Sequence, residues 1–211
     1  MKLTKFGHCC MLIEEDGLRI LTDPGNYTTA QNEVKNIDVI LITHEHADHL
    51  HVESLKTVLA NNPQAKVVTN SGVGAILEKE GIPYALVDDG KQVTEKGVLI
   101  EGFGKDHAVI YKTWKMVENT SYFIGGKLFY PGDAFYEPHR PVEILALPIT
   151  GPWCKISEVI DYALALKPKI CFPVHDGSLT RPAFIHRVAG TIVGEVGIEF
   201  FVPETGKEIE L

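Results

Sequence analysis

The sequence predicts an α/β chain in which two β-sheets pack together with helices on the outside. Strand patterns open the chain, alternating strand and helix follows, and the same order of strands, then helix and strand, repeats in the second half. The 211 residues, 45% apolar and 23% charged, suffice to bury a sizeable core and read as one domain over 1–211. That composition excludes disorder, collagen and coiled coil.

Taken in order, Lys2 to Gly7, Cys10 to Glu14 and Leu18 to Thr22 read as a meander with a turn at Asp16-Gly17. Ile37 to Thr43 is an almost continuous apolar run, the mark of a strand covered on both faces. Val52, Leu55, Val58 and Leu59 fall at helical spacing, as do Val73, Ile76 and Leu77, with a strand at Lys66 to Thr69 between them. Further strands are expected at Ala85 to Asp88, Gly97 to Phe103, Ala108 to Lys112, Thr120 to Ile124, Lys127 to Tyr130 and Glu143 to Pro148. Ile156, Val159, Ile160, Ala163 and Leu164 mark an amphipathic helix that ends before Lys167-Pro168, and a strand at Lys169 to Val174 follows. A helix near Pro182 to Ala189 and a strand near Ile198 to Val202 complete the chain.

Acidic groups outnumber basic ones 28 to 20, and no Lys/Arg run offers a track for phosphates, so nucleic acid is not an expected partner. No window reaches the ~18 apolar residues of a spanning helix, and Met1 to Phe6 lacks a signal-peptide core, so neither membrane insertion nor export is expected. Cys9, Cys10, Cys154 and Cys171 match neither a disulfide framework nor a zinc ribbon, which points to reduced thiols in a cytoplasmic protein. Cys9, Cys10 and Cys171 read as small hydrophobes and Cys154 as a pocket residue.

The chemistry concentrates just beyond the buried strand. Thr43-His44-Glu45-His46-Ala47-Asp48-His49 sets three imidazoles and Asp48 within six residues, a metal-ligand spacing. A chain of this composition would show His-x-His-x-Asp-His by chance with a probability of about one in a thousand. Neutral imidazoles are costly to crowd without a metal or hydrogen-bond partners, which weighs against a merely solvated loop.

With these residues the sequence resembles the metallo-β-lactamase fold superfamily of metal-dependent hydrolases. Gly7-His8 and Thr22-Asp23-Pro24 extend the likeness at the start, and the later loops carry His107, Asp133 in Tyr130-Pro131-Gly132-Asp133, and His175 in Pro173-Val174-His175-Asp176-Gly177. The resemblance implies a four-layer αββα sandwich of two mixed β-sheets with helices on the outer faces. It implies one metal held by His44, His46 and His107, another by Asp48, His49 and His175, and Asp133 bridging them. His8 and Asp23 are expected to orient ligands through hydrogen bonds. The Gly-His pair and the short length resemble a subgroup that includes sugar-phosphate lactonases and lipid phosphodiesterases. That subgroup usually carries Thr-Met after the strand ending near Ile149, where this chain has Gly151-Pro152-Trp153-Cys154.

Two divalent ions would lower the pKa of a shared water toward about 7 and polarise a carbonyl or phosphoryl oxygen. Asp48 would orient that nucleophile and return a proton to the leaving group. The expected activity is hydrolysis of an ester, lactone or phosphodiester of a small molecule, with zinc as the default metal, manganese second, and iron or nickel also accepted by such donors. An iron-dependent oxidoreductase and an RNA nuclease are the competing readings, and oligomeric state is left open. Trp153, Phe135, Tyr136 and Tyr111 to Trp114 are candidates for an apolar wall, and Lys105, Lys112 and Arg140 for a substrate phosphate. His51, His139 and His186 read as surface residues.

Overall fold

A computed structural model describes residues 1–211. Six strands occupy the first half: β1 (Lys2–Gly7), β2 (Cys10–Glu15), β3 (Leu18–Thr22), β4 (Val39–Leu41), β5 (Lys66–Thr69) and β6 (Tyr84–Leu86). Two helices, α1 (Val52–Asn61) and α2 (Ser71–Lys79), alternate with the last of them. The second half holds β7 (Gln92–Glu95), β8 (Val98–Phe103), β9 (Ser121–Ile124), β10 (Leu128–Tyr130), β11 (Ile144–Pro148), α3 (Ile156–Leu166), β12 (Ile170–Val174), α4 (Ala183–Gly194) and β13 (Glu199–Phe200). A last strand, β14 (Glu208–Glu210), returns to pair with β1.

Each sheet has seven strands, in the orders β14-β1-β2-β3-β4-β5-β6 and β13-β12-β11-β10-β9-β8-β7. Both are mixed. From β14 to β3 the first is antiparallel and from β3 to β6 parallel, while β7 to β10 are antiparallel and β10 to β13 parallel in the second. The sheets face each other across a core that includes Ile13, Ile20, Leu41 and Val68 from one and Ile100, Tyr122, Leu128 and Phe172 from the other. On the outer face of the first sheet, Leu55 and Val58 of α1 and Val73 and Leu77 of α2 pack on Leu21, Ile40 and Val67. On the second, Val159 and Ala163 of α3 and Ala189 and Val193 of α4 pack on Phe123, Phe129 and Leu145. The result is the four-layer αββα sandwich.

The apolar run at β4 has the predicted cause: Val39 and Leu41 enter the inter-sheet core and Ile40 the helical layer. Helix α3 begins where the Glu158 carboxylate accepts from Lys155 N–H at 2.7 Å and ends at Lys167, left-handed at φ 49° before Pro168. Two expectations are corrected. Ala108 to Lys112 forms no strand: Ala108 N–H is drawn to Asp133 O at 2.8 Å, and β8 and β9 already pair with each other, so no sheet edge is open to it. Helix α4 runs to Gly194, beyond the expected Ala189, because Val193 extends its buried face. Strand β7 and strand β14 went unforeseen, since their polar or exposed residues give no apolar run.

At one end of the sandwich a buried carboxylate ties the sheets. Glu15 at the end of β2 pairs with Lys127 in the β9–β10 turn. Burial alone would raise the Glu15 pKa, but Lys127 outweighs it and holds the carboxyl below its usual range. A depressed folded-state pKa stabilises the fold above the unfolded value of about 4.3 and stops doing so as pH falls through the folded one. Glu15→Gln is therefore expected to be less stable than wild type in urea at pH 7, with the gap closing at pH 3. An equal gap at both pH values would contradict this linkage.

Candidate metal centre

The predicted residues gather because of strand direction. Strands β1, β3 and β4 run the same way, and so do β8, β10, β11 and β12. His8 follows β1, Asp23 follows β3, and the His44–His49 segment follows β4. His107, Asp133, Trp153 and His175 come after β8, β10, β11 and β12. Carboxyl ends of co-directional strands are where such sheets build sites, because the loops leave there without ladder partners. Gly25 lets the first loops meet: a Cβ there would lie 1.8 Å from the Asp48 carbonyl oxygen.

Two groups of donor atoms result, each within a 4.8 Å span: His44, His46, His107 and Asp133, and His8, Asp48, His49 and His175. Asp133 lies between them. Its Oδ2 is 2.9 Å from His175 Nε2 and 3.4 Å from His107 Nε2, and its Oδ1 is 3.2 Å from His49 Nε2. His44 Nε2 and His46 Nδ1 face each other at 3.1 Å.

Outer hydrogen bonds fix which nitrogen points inward for His44, His49 and His107. His49 Nδ1–H donates to Asp23 Oδ2 at 2.7 Å and His107 Nδ1–H to Ala108 O at 2.6 Å. The Thr43 hydroxyl donates its one proton to Asp23 Oδ2 at 2.8 Å, so at 3.0 Å it accepts from His44 Nδ1–H. Gly177 N–H donates to His8 Nδ1 at 3.0 Å, which leaves Nε2–H of His8 to donate to Asp48 Oδ2 at 3.1 Å. His8 thus has no lone pair left for a ligand, and it orients Asp48 instead.

The inward atoms are the ones left over. His49 Nε2, His107 Nε2, both ring nitrogens of His175 and Asp133 Oδ1 are buried without an aligned hydrogen-bond partner. Buried polar atoms are rarely orphaned, and a set of convergent imidazoles and carboxylates in that state fits divalent cations.

Charge compensation among these side chains follows the same geometry. Burial works against charging His49 and His175, yet the Asp133 carboxylate beside them prevails, raising His49 and moving His175 up to about 10. Burial keeps His44 well below the usual imidazole range, and neighbouring imidazoles add to it. Asp48 and Asp133 resist the upward push of burial because histidines surround them, and both stay well below the usual carboxylate range.

Other expectations fare differently. His186 is a correction: it is buried, not superficial, and its Nε2 lies 3.2 Å from Asp176 Oδ2. Lys5 Nζ donates to the other Asp176 oxygen at 2.7 Å and to Pro173 O at 2.8 Å, so the chain around His175 is held from both sheets. His51 caps α1 by accepting from Ser54 N–H, while His139 is exposed. Cys9 is buried as a small hydrophobe would be, yet its sulfur also lies within 4.8 Å of donor atoms of His49 and Asp133. Burial pushes the Cys154 thiol up to about 12, and the side chain packs against the α3–α4 core. Trp153 packs on Phe135 and donates to Asp133, a contact no sequence pattern announces. Tyr111 and Trp114 are exposed, as is Lys112, and Lys105 lies 3.5 Å from Glu118. Arg140 is committed to Glu101 and to the face of Phe123, 4.1 Å from its ring centroid. Tyr130 and Thr43 were not foreseen as partners of Asp23.

Residues 2–175 match the family described as the beta-lactamase superfamily domain. The chain belongs to that superfamily. Protein Rv0786c of Mycobacterium tuberculosis is 37% identical over 188 residues, covering 87% of each chain. The UPF0173 metal-dependent hydrolase Ta0764 of Thermoplasma acidophilum is 26% identical and aligns over 100% of this chain and 99% of its own. Among solved structures, the metallo hydrolase Igni18 of Ignicoccus hospitalis superposes with a TM-score of 0.78 at 22% identity, over 100% of this chain and 98% of that one. CmlA, a diiron β-hydroxylase of Streptomyces venezuelae, superposes at 0.75 and 17% identity, over 100% of this chain and 54% of that one. These two likenesses bear on the superfamily's fold alone.

Asp23 is the testable anchor of the site. Asp23→Asn replaces an acceptor that receives Thr43, His49 and Tyr130 with a group that must present an amide N–H to one of them. The expected loss is roughly 1.5–3 kcal/mol of stability, the worth of a hydrogen bond to a charged group. Urea titration of the metal-free protein measures it, and an unchanged midpoint would contradict the anchoring role.

Proposed function

We propose that this chain is a metal-dependent hydrolase that holds two divalent cations and cleaves an ester, lactone or phosphodiester bond of a small molecule. The observation that carries the reading is the pair of donor groups with one carboxylate between them, in which His49 Nε2, His107 Nε2, the His175 ring nitrogens and Asp133 Oδ1 are buried and orphaned. His44, His46 and His107 would hold one cation, Asp48, His49 and His175 the other, and Asp133 both. The superfamily match and the relatives named as metal-dependent hydrolases support the same reaction class. Zinc is the default for such imidazole and carboxylate donors, and manganese, iron and nickel are the alternatives.

When bound, the cations would acidify a water and polarise the oxygen of the scissile group. The chain's own part is positional. The side chain of Asp48 is 23% exposed against 4% for Asp133, so it is the carboxylate that faces an incoming substrate. With one oxygen held by His8, Asp48 would orient the attacking water through the other, accept the proton that water loses and return it to the leaving group. Cations held in the two donor groups would rest on both sheets at once, and a core drawing on both from Leu3 to Phe172 supports a single domain. Four free thiols fit a reducing cytoplasm, and no helix is long and apolar enough to cross a membrane. The net charge of -8 favours a small-molecule substrate over nucleic acid.

Elemental mass spectrometry on protein purified without chelator is expected to give two metals per chain, with turnover in a panel of esters, lactones and phosphodiesters. Asp48→Asn should keep a measurable metal content and lose about 10²–10⁴-fold in kcat. Retained metal with undiminished turnover would remove Asp48 from the mechanism. One iron per chain with oxygen uptake and no hydrolysis would move the protein to the oxidoreductases.

A further inference from the structure

We infer that Trp153 is a positioning residue for Asp133, and that its indole N–H sets how tightly the second of two cations is held. The inference rests on the two-cation reading above. Trp153 Nε1–H donates to Asp133 Oδ2 at 2.9 Å. That oxygen is the one that lies near both donor groups, 2.9 Å from His175 Nε2 and 3.4 Å from His107 Nε2. The other oxygen, Oδ1, has no aligned hydrogen-bond partner. The indole therefore fixes the plane of the carboxylate, holding Oδ2 between the donor groups and leaving Oδ1 toward His49.

The ring is held where it can do this. It is 92% buried (8% exposed) and lies edge-on to His107, His175 and Phe135, at centroid distances of 6.1, 5.9 and 5.2 Å. It thus touches one imidazole from each donor group. Gly151 makes the room: a Cβ there would lie 2.5 Å from Trp153 Nε1 and 2.8 Å from Cε2. In the Gly151-Pro152-Trp153 turn after β11 the indole accordingly folds over a backbone free of a side chain at Gly151.

Selectivity for the second cation follows from electrostatics. The first divalent ion to enter finds three imidazoles, or two imidazoles and Asp48, which suffice without Asp133. A second ion a few Å away is repelled by the first, and a carboxylate between them offsets that repulsion only while it is aimed at both. Loss of the indole N–H leaves Oδ2 buried and unpaired and lets the carboxylate turn. Groups that orient a ligand in this way typically contribute 10–100-fold to metal affinity.

The test is calorimetric titration of metal-free protein with zinc, comparing wild type, Trp153→Phe and Gly151→Ala. Phenylalanine keeps a ring and removes the donor, whereas alanine at 151 keeps the indole and displaces it. Both variants are expected to bind the first equivalent as wild type does and the second about 10–100-fold more weakly. Because the chain has two tryptophans and the other, Trp114, is exposed, a Trp114→Phe background makes Trp153 the sole emitter. Its fluorescence should change as each equivalent binds, since the ring lies against one imidazole of each donor group, and no change at the second would also overturn the inference. Either variant alone decides the matter if the other fails to fold. Wild-type affinity for both equivalents, or equal weakening of both, overturns the inference. Fewer than two equivalents bound by wild type would instead sink the two-cation reading, and this inference with it.

Discussion

The arrangement of the site depends on one buried carboxylate. Asp23 is fully buried at the end of β3 and accepts from Thr43 N–H, the Thr43 hydroxyl, His49 Nδ1–H and the Tyr130 hydroxyl. An isolated buried charge would be costly, and these donors on every side are what make it tolerable. Tyr130 belongs to β10 of the second sheet, so the same carboxylate that aims His49 also fixes one sheet against the other. Asp23 adopts φ 35°, a left-handed conformation that costs an Asp side chain free energy and persists where its surroundings over-determine it. His8 at 52° and His175 at 60° share that region, and their backbones meet where His175 N–H donates to His8 O at 3.3 Å. Three strand ends that turn sharply in this way bring their next side chains inward rather than out to solvent.

Around that anchor the donors are arranged in concentric order. Each inward imidazole of His44, His49 and His107 has its other nitrogen tied to a hydroxyl, a carboxylate or a carbonyl. Because Thr43 and Asp23 sit at the ends of β4 and β3, the precision of the first sheet is passed to His44 and His49. Farther out, Lys5 reaches from β1 to Asp176, and His186 of α4 reaches to the same carboxylate from the other side. The loop carrying His175 is thereby clamped between a strand of one sheet and a helix packed on the other.

Much of this was legible in the residues. The His44–His49 segment announced itself because ligand chemistry needs several donors close in sequence, and β1, β3, β5 and α3 were legible because their apolar periodicity is strong and their ends are punctuated by Gly, Asp or Pro. Of the partners of those donors, His8 and Asp23 were legible and the others were not, for a physical reason. Tyr130, Trp153 and Asn119 look like ordinary strand or loop residues, and they acquire roles through contacts spanning 107, 20 and 14 residues of chain. His186 was read as superficial because a lone histidine at a helical position carries no sign of the Asp176 carboxylate that accompanies it into the interior. The Ala108 to Lys112 segment shows the opposite error: its apolar residues suit a strand, yet Val109 and Tyr111 are exposed at 62% and 59%, since no sheet edge is there to receive them.

The division of labour between strands and loops also explains how one superfamily fold accommodates hydrolases and a diiron hydroxylase. Donors at the strand ends are constrained by the sheets, so their positions change little without damage to the core. The stretch from Ala108 to Met116 lies outside both sheets and is rooted at His107 through the contact of His107 N–H with Val117 O. The Gly151–Cys154 turn likewise bears no ladder hydrogen bonds, yet it places an indole on the Asp133 carboxylate. In this chain two contacts from outside the sheets reach the donors directly, the Ala108 carbonyl on His107 Nδ1–H and the Trp153 indole on Asp133, so the loops complete what the strand ends begin.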